Sequence, residues 1–432
     1  MAAKTDVIVI GGGISGCATA YNLAKRGAHV VLLEKGRIAD EASGRTWGAV
    51  RRQGRQAPEV PLAIESLKLW DKLDEDLGTE THFIRGGNLL LAATARELAD
   101  FENTVRITRE YGLESDMVTR ERAQEILPGL SGRFIGGMFS PSDGYAHPVK
   151  TTNAFARAAQ ENGATVRTRC SVERIETSGG QVKGVVTERG ERIEADVIVN
   201  AAGVWAPRLA RTCDVRVPVR VVRTHVTITE PKPDYRAPLV WSPRVSFRPT
   251  ADGNILLGAG SALKADHDVD LNSLMDLKYF LPGLSQFRRQ ISFHVGSQLL
   301  NDVLSHVPGT VQNRKFFSTT VGVEPEVNWT TIRRMRRAFF EHMPHLSGLR
   351  FVKTWAGLID ITPDILPVLG EAPGVKGLVL ATGFSGHGFA LGPITGKLLS
   401  ELILDGTPSL SLYDFRLTRF AEQGVGTIRR LQ

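Results

Sequence analysis

Apolar residues run without interruption at Val7-Ile8-Val9-Ile10 and again at Val30-Val31-Leu32-Leu33, the pattern of strands buried on both faces of a parallel sheet. Between them, Ile14 to Arg26 reads as a helix stopped by Gly27, with Lys25 and Arg26 in the last turn where cations complement the helix dipole. From about Val166 to Val199 apolar and polar positions alternate around the turn Ser178-Gly179-Gly180, which predicts paired strands. That stretch ends in Asp196-Val197-Ile198-Val199-Asn200-Ala201-Ala202-Gly203, a buried strand entering a turn of small residues. Near the C-terminus the strand Gly377 to Thr382 leads into the glycine loop Gly383 to Phe389, followed by a helix over Ile394 to Leu404.

Strands alternating with helices predict an α/β fold. Three separated segments, 1–85, 141–216 and 346–432, are expected to form one nucleotide-binding domain. Residues 86–140 and 217–345 then form a second, α+β domain inserted into the first. The length of 432 residues suits two domains, and 42% hydrophobic with 23% charged residues marks a folded globular chain.

The charge balance, 53 Lys+Arg against 46 Asp+Glu, leaves a net +7. This permits attraction to anionic substrates or a membrane surface without requiring nucleic acid. Cys17, Cys170 and Cys213 lie far apart and match neither a disulfide framework nor a metal-ligand spacing. No metal and a reducing, cytoplasmic setting are therefore expected. The first strand starts directly after Met1-Ala2-Ala3-Lys4-Thr5-Asp6, so no targeting leader is expected, and no apolar run approaches the ~18 residues of a spanning helix.

Gly11-x-Gly13-x-x-Gly16 follows the first strand, opens the helix at Ile14 and Ser15, and is succeeded by Glu34 and Lys35 at the end of the next strand. Gly11 allows the tight turn, Gly13 lets a pyrophosphate approach the helix N-terminus, and Gly16 lets helix and strand pack closely. Glu34 can accept from ribose hydroxyls and argues against a 2′-phosphate. FAD and NAD share this fingerprint. The second loop, Gly383-x-x-Gly386-x-Gly388, decides for FAD: its N–H groups and helix end can face the flavin pyrimidine edge, where reduction places negative charge.

With these motifs stand Ala42-Ser43-Gly44-Arg45, Ser142-Asp143-Gly144, Asn200 to Trp205, and Trp355-Ala356-Gly357-Leu358-Ile359-Asp360-Ile361-Thr362-Pro363-Asp364. Together they resemble the D-amino-acid oxidase superfamily of flavoenzymes, especially its glycine oxidase and sarcosine oxidase β-subunit branches. The resemblance implies a glutathione-reductase-like, Rossmann-type FAD domain with an inserted α+β substrate domain, and FAD bound non-covalently. It places Ser43, Gly44 and Arg45 at the pyrophosphate, Gly48 and Ala49 along the flavin, and Val172 at the adenine. Ala202, Gly203, Trp205 and Gly357 join the same site, while Gly386, His387, Gly388 and Phe389 border the isoalloxazine ring. A narrower segment, about Leu277 to Val327, resembles the insertion of bacterial membrane-associated L-amino acid deaminases, although their N-terminal spanning segment has no counterpart here.

Relatives acting on glycine or D-amino acids carry an arginine two residues after the glycine matched by Gly357, where this chain has Ile359. A substrate carboxylate over the flavin still needs a cationic partner. Arg248, in the strand-like Val245-Ser246-Phe247-Arg248, is the first candidate, with Arg51 and Arg223 behind it. His225 is expected at the substrate and His387 beside the flavin. Arg333, Arg334, Arg336 and Arg337 alternate with Ile332, Met335, Phe339 and Phe340 at amphipathic helix spacing. The expected reaction is oxidative deamination of an L-amino acid to a 2-oxo acid and ammonia, with sarcosine, proline or an opine as alternative substrates and oxygen or a membrane quinone as acceptor. A nicotinamide dehydrogenase would leave the C-terminal loop without a purpose. An RNA-acting flavoprotein would need the aromatic platforms or basic stripe that are missing.

Overall fold

In the computed structural model, which describes residues 4–283, 288–307, 310 and 324–422, Lys4–Ile10 pairs in parallel with both Val30–Leu33 and Arg192–Asn200. Thr165–Arg167 and Leu378–Thr382 extend this core on either side, again in parallel. The hairpin Val172–Ser178 and Gln181–Thr187 and the strand Val368–Glu371 complete a sheet of eight strands among the described residues. Both faces are covered, which is why its central strands read as unbroken apolar runs: Ile8, Val9, Leu32 and Ile198 are all fully buried.

One cover is the helix pair Ile14–Lys25 and Gly388–Asp405. A Cβ at Gly392 would lie 2.7 Å from Ile14 Cγ1, and one at Gly396 would collide with the Ala18 backbone. The glycines at this crossing let two helix backbones approach. They also explain a difference from the sequence pattern, which placed the helix start at Ile394: the helix begins at Gly388, because the glycine-rich segment is stabilised by packing rather than by propensity. The helix Glu59–Trp70 lies against it, with Trp70 Nε1 donating to the Ala390 carbonyl at 2.9 Å.

The second sheet has ten strands among the described residues. Its centre is Arg220–Thr229, flanked by Ile255–Ala259 and by Phe351–Ile361. Val245–Pro249, Leu239–Trp241, Asn88–Ala92, Gly136–Ser140 and Asp116–Thr119 follow in order. The amphipathic helix Trp329–His342 packs Ile332, Met335 and Phe339 onto this sheet and turns Arg333, Arg334 and Arg337 outward.

Phe351–Ile361 corrects the division drawn from sequence, which gave 346–432 entirely to the nucleotide-binding part. This strand pairs with Arg220–Thr229 over ten positions. Its C-terminal end then delivers Asp360 to the first domain's glycine loop, so one strand belongs to the second sheet and serves the first domain's site. Of the expected insert, residues 284–287, 308–309 and 311–323 lie outside the described residues.

Candidate active site

Gly11 leaves the first strand at φ 113°, a conformation side chains rarely adopt, and a Cβ there would collide with the Ala201 carbonyl. Gly16 is equally constrained against the Gly11 carbonyl. Gly13 caps the helix that follows, so the first N–H groups of that helix lack intrahelical acceptors. Ile14 N donates to Ser43 Oγ at 2.9 Å, joining this turn to the segment Ala42–Arg45. The Glu34 carboxylate accepts from Gly12 N and from Gly36 N, each at 2.6 Å. Burial raises the Glu34 pKa, and these two N–H groups oppose the rise. Lys35 pairs with Glu41 at 2.5 Å and lies over the Trp205 ring.

From this turn a cavity of about 750 Å³ runs between the two sheets. Gly11, Gly13, Ile14, Ser15, Glu34, Lys35, Ser43, Arg45, Val172, Ala202, Gly203 and Trp205 line its first half. Gly357, Gly386, His387, Gly388 and Phe389 line its far wall. Gly16, Gly44, Gly48, Ala49 and Gly383 do not line it. Gly16 and Gly44 instead support the wall from behind, each against a backbone carbonyl.

The far wall is fixed by Asp360, which is buried and whose pKa burial raises. Its Oδ2 accepts from Gly383 N at 2.7 Å and Thr382 Oγ1 at 3.2 Å, while its carbonyl accepts from Ser385 N. This clamps the loop ahead of the helix Gly388–Asp405. His387, the residue before that helix, places Nδ1 2.9 Å from Glu59 Oε2.

Beyond the glycine loops the wall becomes aromatic. Trp47 and Trp241 meet edge to face with centroids 4.5 Å apart, and both indole N–H groups are buried without a partner among the described residues. Arg51 lies over the Trp241 ring at 5.1 Å and donates to the Gln53 carbonyl. Arg51 has no carboxylate within ion-pair distance among the described residues. Burial, with the neighbouring Arg55 charge adding to it, lowers its pKa to about 10 and leaves it cationic at neutral pH.

The other predicted cations are placed differently. Arg223 lines the cavity but is paired with Asp268 at 3.0 Å. Arg248, the first candidate from sequence, does not line the cavity. Its Nε donates to the Trp47 carbonyl at 2.6 Å, and Nη1 and Nη2 reach the Pro249 and Ala146 carbonyls at 2.8 and 3.5 Å. The strand register directs it into the loop behind Trp47, where backbone carbonyls occupy the fork that a substrate would need. His225 lines the cavity with Nε2 3.0 Å from Asp266 Oδ2, and His294 and Asn328 also donate to that carboxylate.

Trp47, Trp241 and Glu59 were not anticipated from sequence. Trp47 carried a signal, being adjacent to Gly48 in a segment expected along the flavin. Trp241 and Glu59 join the site only through cross-strand and helix packing.

The donor set fits FAD. Ser171 Oγ, next to Val172 in the wall, and the two indole N–H groups are buried polar atoms awaiting an acceptor or donor from a ligand. Gly386, at φ 86°, would meet only Ile359 at 3.8 Å with an added Cβ, so the loop backbone is open to close approach. No group of His, Cys, Asp and Glu among the described residues is arranged to hold a metal, and no helix among them is long and apolar enough to cross a membrane.

Comparison with known proteins agrees with this geometry. The chain is 27% identical to the mitochondrial pyruvate dehydrogenase phosphatase regulatory subunit of Mus musculus over 97% of this chain and 43% of that protein. It therefore spans less than half the length of the first curated relatives it matches. Glycine oxidase of Geobacillus kaustophilus is matched end to end, at 27% identity over 97% of this chain and 98% of that one. The solved L-amino acid deaminase from Proteus myxofaciens superposes with a TM-score of 0.89 at 26% identity, over 97% of this chain and 94% of that one. Residues 6–402 match the DAO family, FAD dependent oxidoreductase, and with the fingerprint turn, acidic strand end and C-terminal glycine loop around one cavity, this chain belongs to that family.

Proposed function

We propose that the protein oxidises the carbon–nitrogen bond of an L-amino acid, releasing a 2-oxo acid and ammonia. The observation that carries this reading is Arg51, a cation in the cavity wall with no carboxylate partner among the described residues, beside two indole donors that these residues leave unsatisfied. A half-buried guanidinium in this state is stabilised by a bidentate carboxylate. The likeness to the L-amino acid deaminase fold supports the handedness.

In this reading Gly11 to Ser15, Glu34, Lys35 and Ser43 to Arg45 hold the adenosine and pyrophosphate, with Val172 at the adenine and Ala202, Gly203 and Trp205 beside it. Gly357 and Gly386 to Phe389 border the ring. FAD, when bound, supplies the two-electron acceptor. Arg51 anchors the substrate carboxylate and Trp47 and Trp241 wall the side chain, so orientation carries much of the rate. Oxidation removes a hydride from Cα and a proton from the amine nitrogen, whose lone pair closes the C=N bond. Water then adds to the imine carbon and ammonia leaves.

FAD is held without a covalent bond in this reading: Cys170 is the cysteine that lines the cavity, and it does so beside Ser171 and Val172 at the adenosine end. Peripheral membrane contact, with a quinone as acceptor, belongs to the same proposal. Its support is the exposure of Leu277, Leu281, Phe293, Val295, Leu300 and Val307 in the described part of the insert.

The test is anaerobic bleaching of the flavin band by a panel of L-, D- and N-substituted amino acids, which needs no knowledge of the acceptor. Bleaching by primary L-amino acids is expected. Bleaching by D-amino acids alone, or by sarcosine and proline alone, overturns the primary L-amino acid assignment.

A further inference from the structure

Two helix N-termini converge behind the far wall of the cavity. Glu59 is the first residue of Glu59–Trp70, and His387 immediately precedes Gly388–Asp405. Both Glu59 carboxylate oxygens lie within hydrogen-bond distance of His387 Nδ1, at 2.9 and 3.1 Å. The Glu59 side chain is 0% exposed and that of His387 12%, the latter bordering the cavity.

The charges around the pair determine its state. The charged groups facing His387 are Glu59 on one helix and Arg55 and Arg51 on the preceding loop. Burial lowers the pKa of the imidazole, the two arginines add to this, and Glu59 opposes it. Glu59 is buried too, yet His387 and Arg55 hold it below the usual carboxylate range, and the positive end of its own helix favours the anion as well. We read the pair as an ionised Glu59 and a neutral His387. An ionised carboxylate only accepts, so Nδ1 carries the proton and Nε2 keeps its lone pair. Among the described residues no group bonds Nε2, which leaves it available on the cavity side.

We propose that His387 is a redox-linked proton acceptor: when the flavin gains two electrons, Nε2 takes up one proton from solvent, with Glu59 holding the imidazole in the tautomer that can accept it. The inference rests on FAD occupying the cavity with its ring beside His387, and not on the identity of the substrate. The balance is simple. Two electrons and one proton enter the ring, leaving it with an added negative charge, and a second proton forms the Nε2–H bond of an imidazolium ion beside that charge. No bond within the protein breaks. Glu59 is a positioning residue, since it acts through His387.

The test is a spectroelectrochemical titration of the purified holoprotein between pH 6 and 8.5, with electrons supplied by the electrode. The expected result is that the midpoint potential of the wild type falls more steeply with pH than that of His387→Asn, by ~30 mV per pH unit, the value of a tenfold change for a two-electron couple. Glu59→Gln is expected to lose the same proton, because its amide no longer stabilises the imidazolium. A second readout is the 15N resonance of His387 Nε2, expected to move from the unprotonated to the protonated position when dithionite reduces the wild type. Equal slopes in wild type and His387→Asn at equal FAD content overturn the proposal, as does an unmoved Nε2 resonance. If Glu59→Gln fails to fold, His387→Asn and His387→Gln decide the matter. A protein that passes these tests while no amino acid bleaches its flavin refutes the proposed function and leaves this inference standing.

Discussion

Arg248 Nε donates to the carbonyl of Trp47 at 2.6 Å, across 201 residues of chain. The contact ties the second sheet to the loop that carries Trp47 and Arg51 into the cavity wall. Gly48 makes room for it: at φ 77°, an added Cβ would sit 2.7 Å from Arg248 Nη2.

Arg248→Ala is therefore expected to act on stability rather than on substrate affinity. It leaves three backbone carbonyls without their donor, a loss on the order of 2–4 kcal/mol for a buried, charge-assisted set. A lower denaturation midpoint and reduced FAD content in the purified protein, with KM unchanged in the folded fraction, are the expected readings. A raised KM at full stability would return Arg248 to the role of substrate anchor.

Arg51→Ala is expected to lower kcat/KM for the best L-amino acid by at least ~10-fold, about 1.5–3 kcal/mol, with FAD content intact. Arg51→Lys recovers only part of this, because an ammonium cannot reproduce the planar fork. Steady-state kinetics on the variants, alongside their flavin absorbance, check the point. Full activity in Arg51→Ala removes it as anchor.

At the adenosine end, Glu34→Gln replaces two acceptor oxygens by one oxygen and an NH2 group. Either Gly12 N or Gly36 N then loses its acceptor. The turn that FAD must meet is loosened, and a rise in FAD dissociation constant of ~10-fold, on the order of 1–3 kcal/mol, is expected by titration of the apoprotein. An unchanged constant would show that Glu34 neither shapes the turn nor meets the ribose.

Acid sensitivity has an identifiable contributor in Asp266. Burial pushes its carboxyl upward, but hydrogen bonds from His225, His294 and Asn328 outweigh this and leave the pKa below the usual aspartate value. A carboxyl whose folded pKa is depressed stabilises the fold above its unfolded pKa of about 4, and that contribution disappears as pH falls through the folded pKa. Asp266→Asn is thus expected to be less stable than wild type at pH 6, with the gap narrowing toward pH 3. Urea midpoints at four pH values suffice, and a gap independent of pH would exclude the carboxylate charge as its source.

For the exposed apolar side chains of the insert, the expectation is co-flotation with vesicles containing anionic lipid. Val295→Asp with Leu300→Asp should abolish flotation and leave flavin reduction by substrate unchanged. Wild-type protein that stays at the bottom of the gradient removes membrane contact from the proposal.

Much of the nucleotide end was legible in the chain because its requirements are local. Gly11, Gly13 and Gly16 are demanded by one strand, one turn and one helix within a few residues, and unbroken valine and isoleucine runs follow from burial on both sheet faces. The C-terminal loop was legible for the same reason, although its helix starts at Gly388 rather than Ile394, since Gly392 and Gly396 owe their helical state to contact with Ile14 and Ala18. The cations around the cavity were different. Arg51, Arg223 and Arg248 are equivalent as residue types, and what sets them apart among the described residues is what each meets: the Gln53 carbonyl and the Trp241 ring, Asp268, or three backbone carbonyls. Likewise nothing near Glu59 in sequence announces His387, 328 residues away. Such pairings are made by cross-strand register and helix packing, and those are set by the whole core rather than by any local pattern.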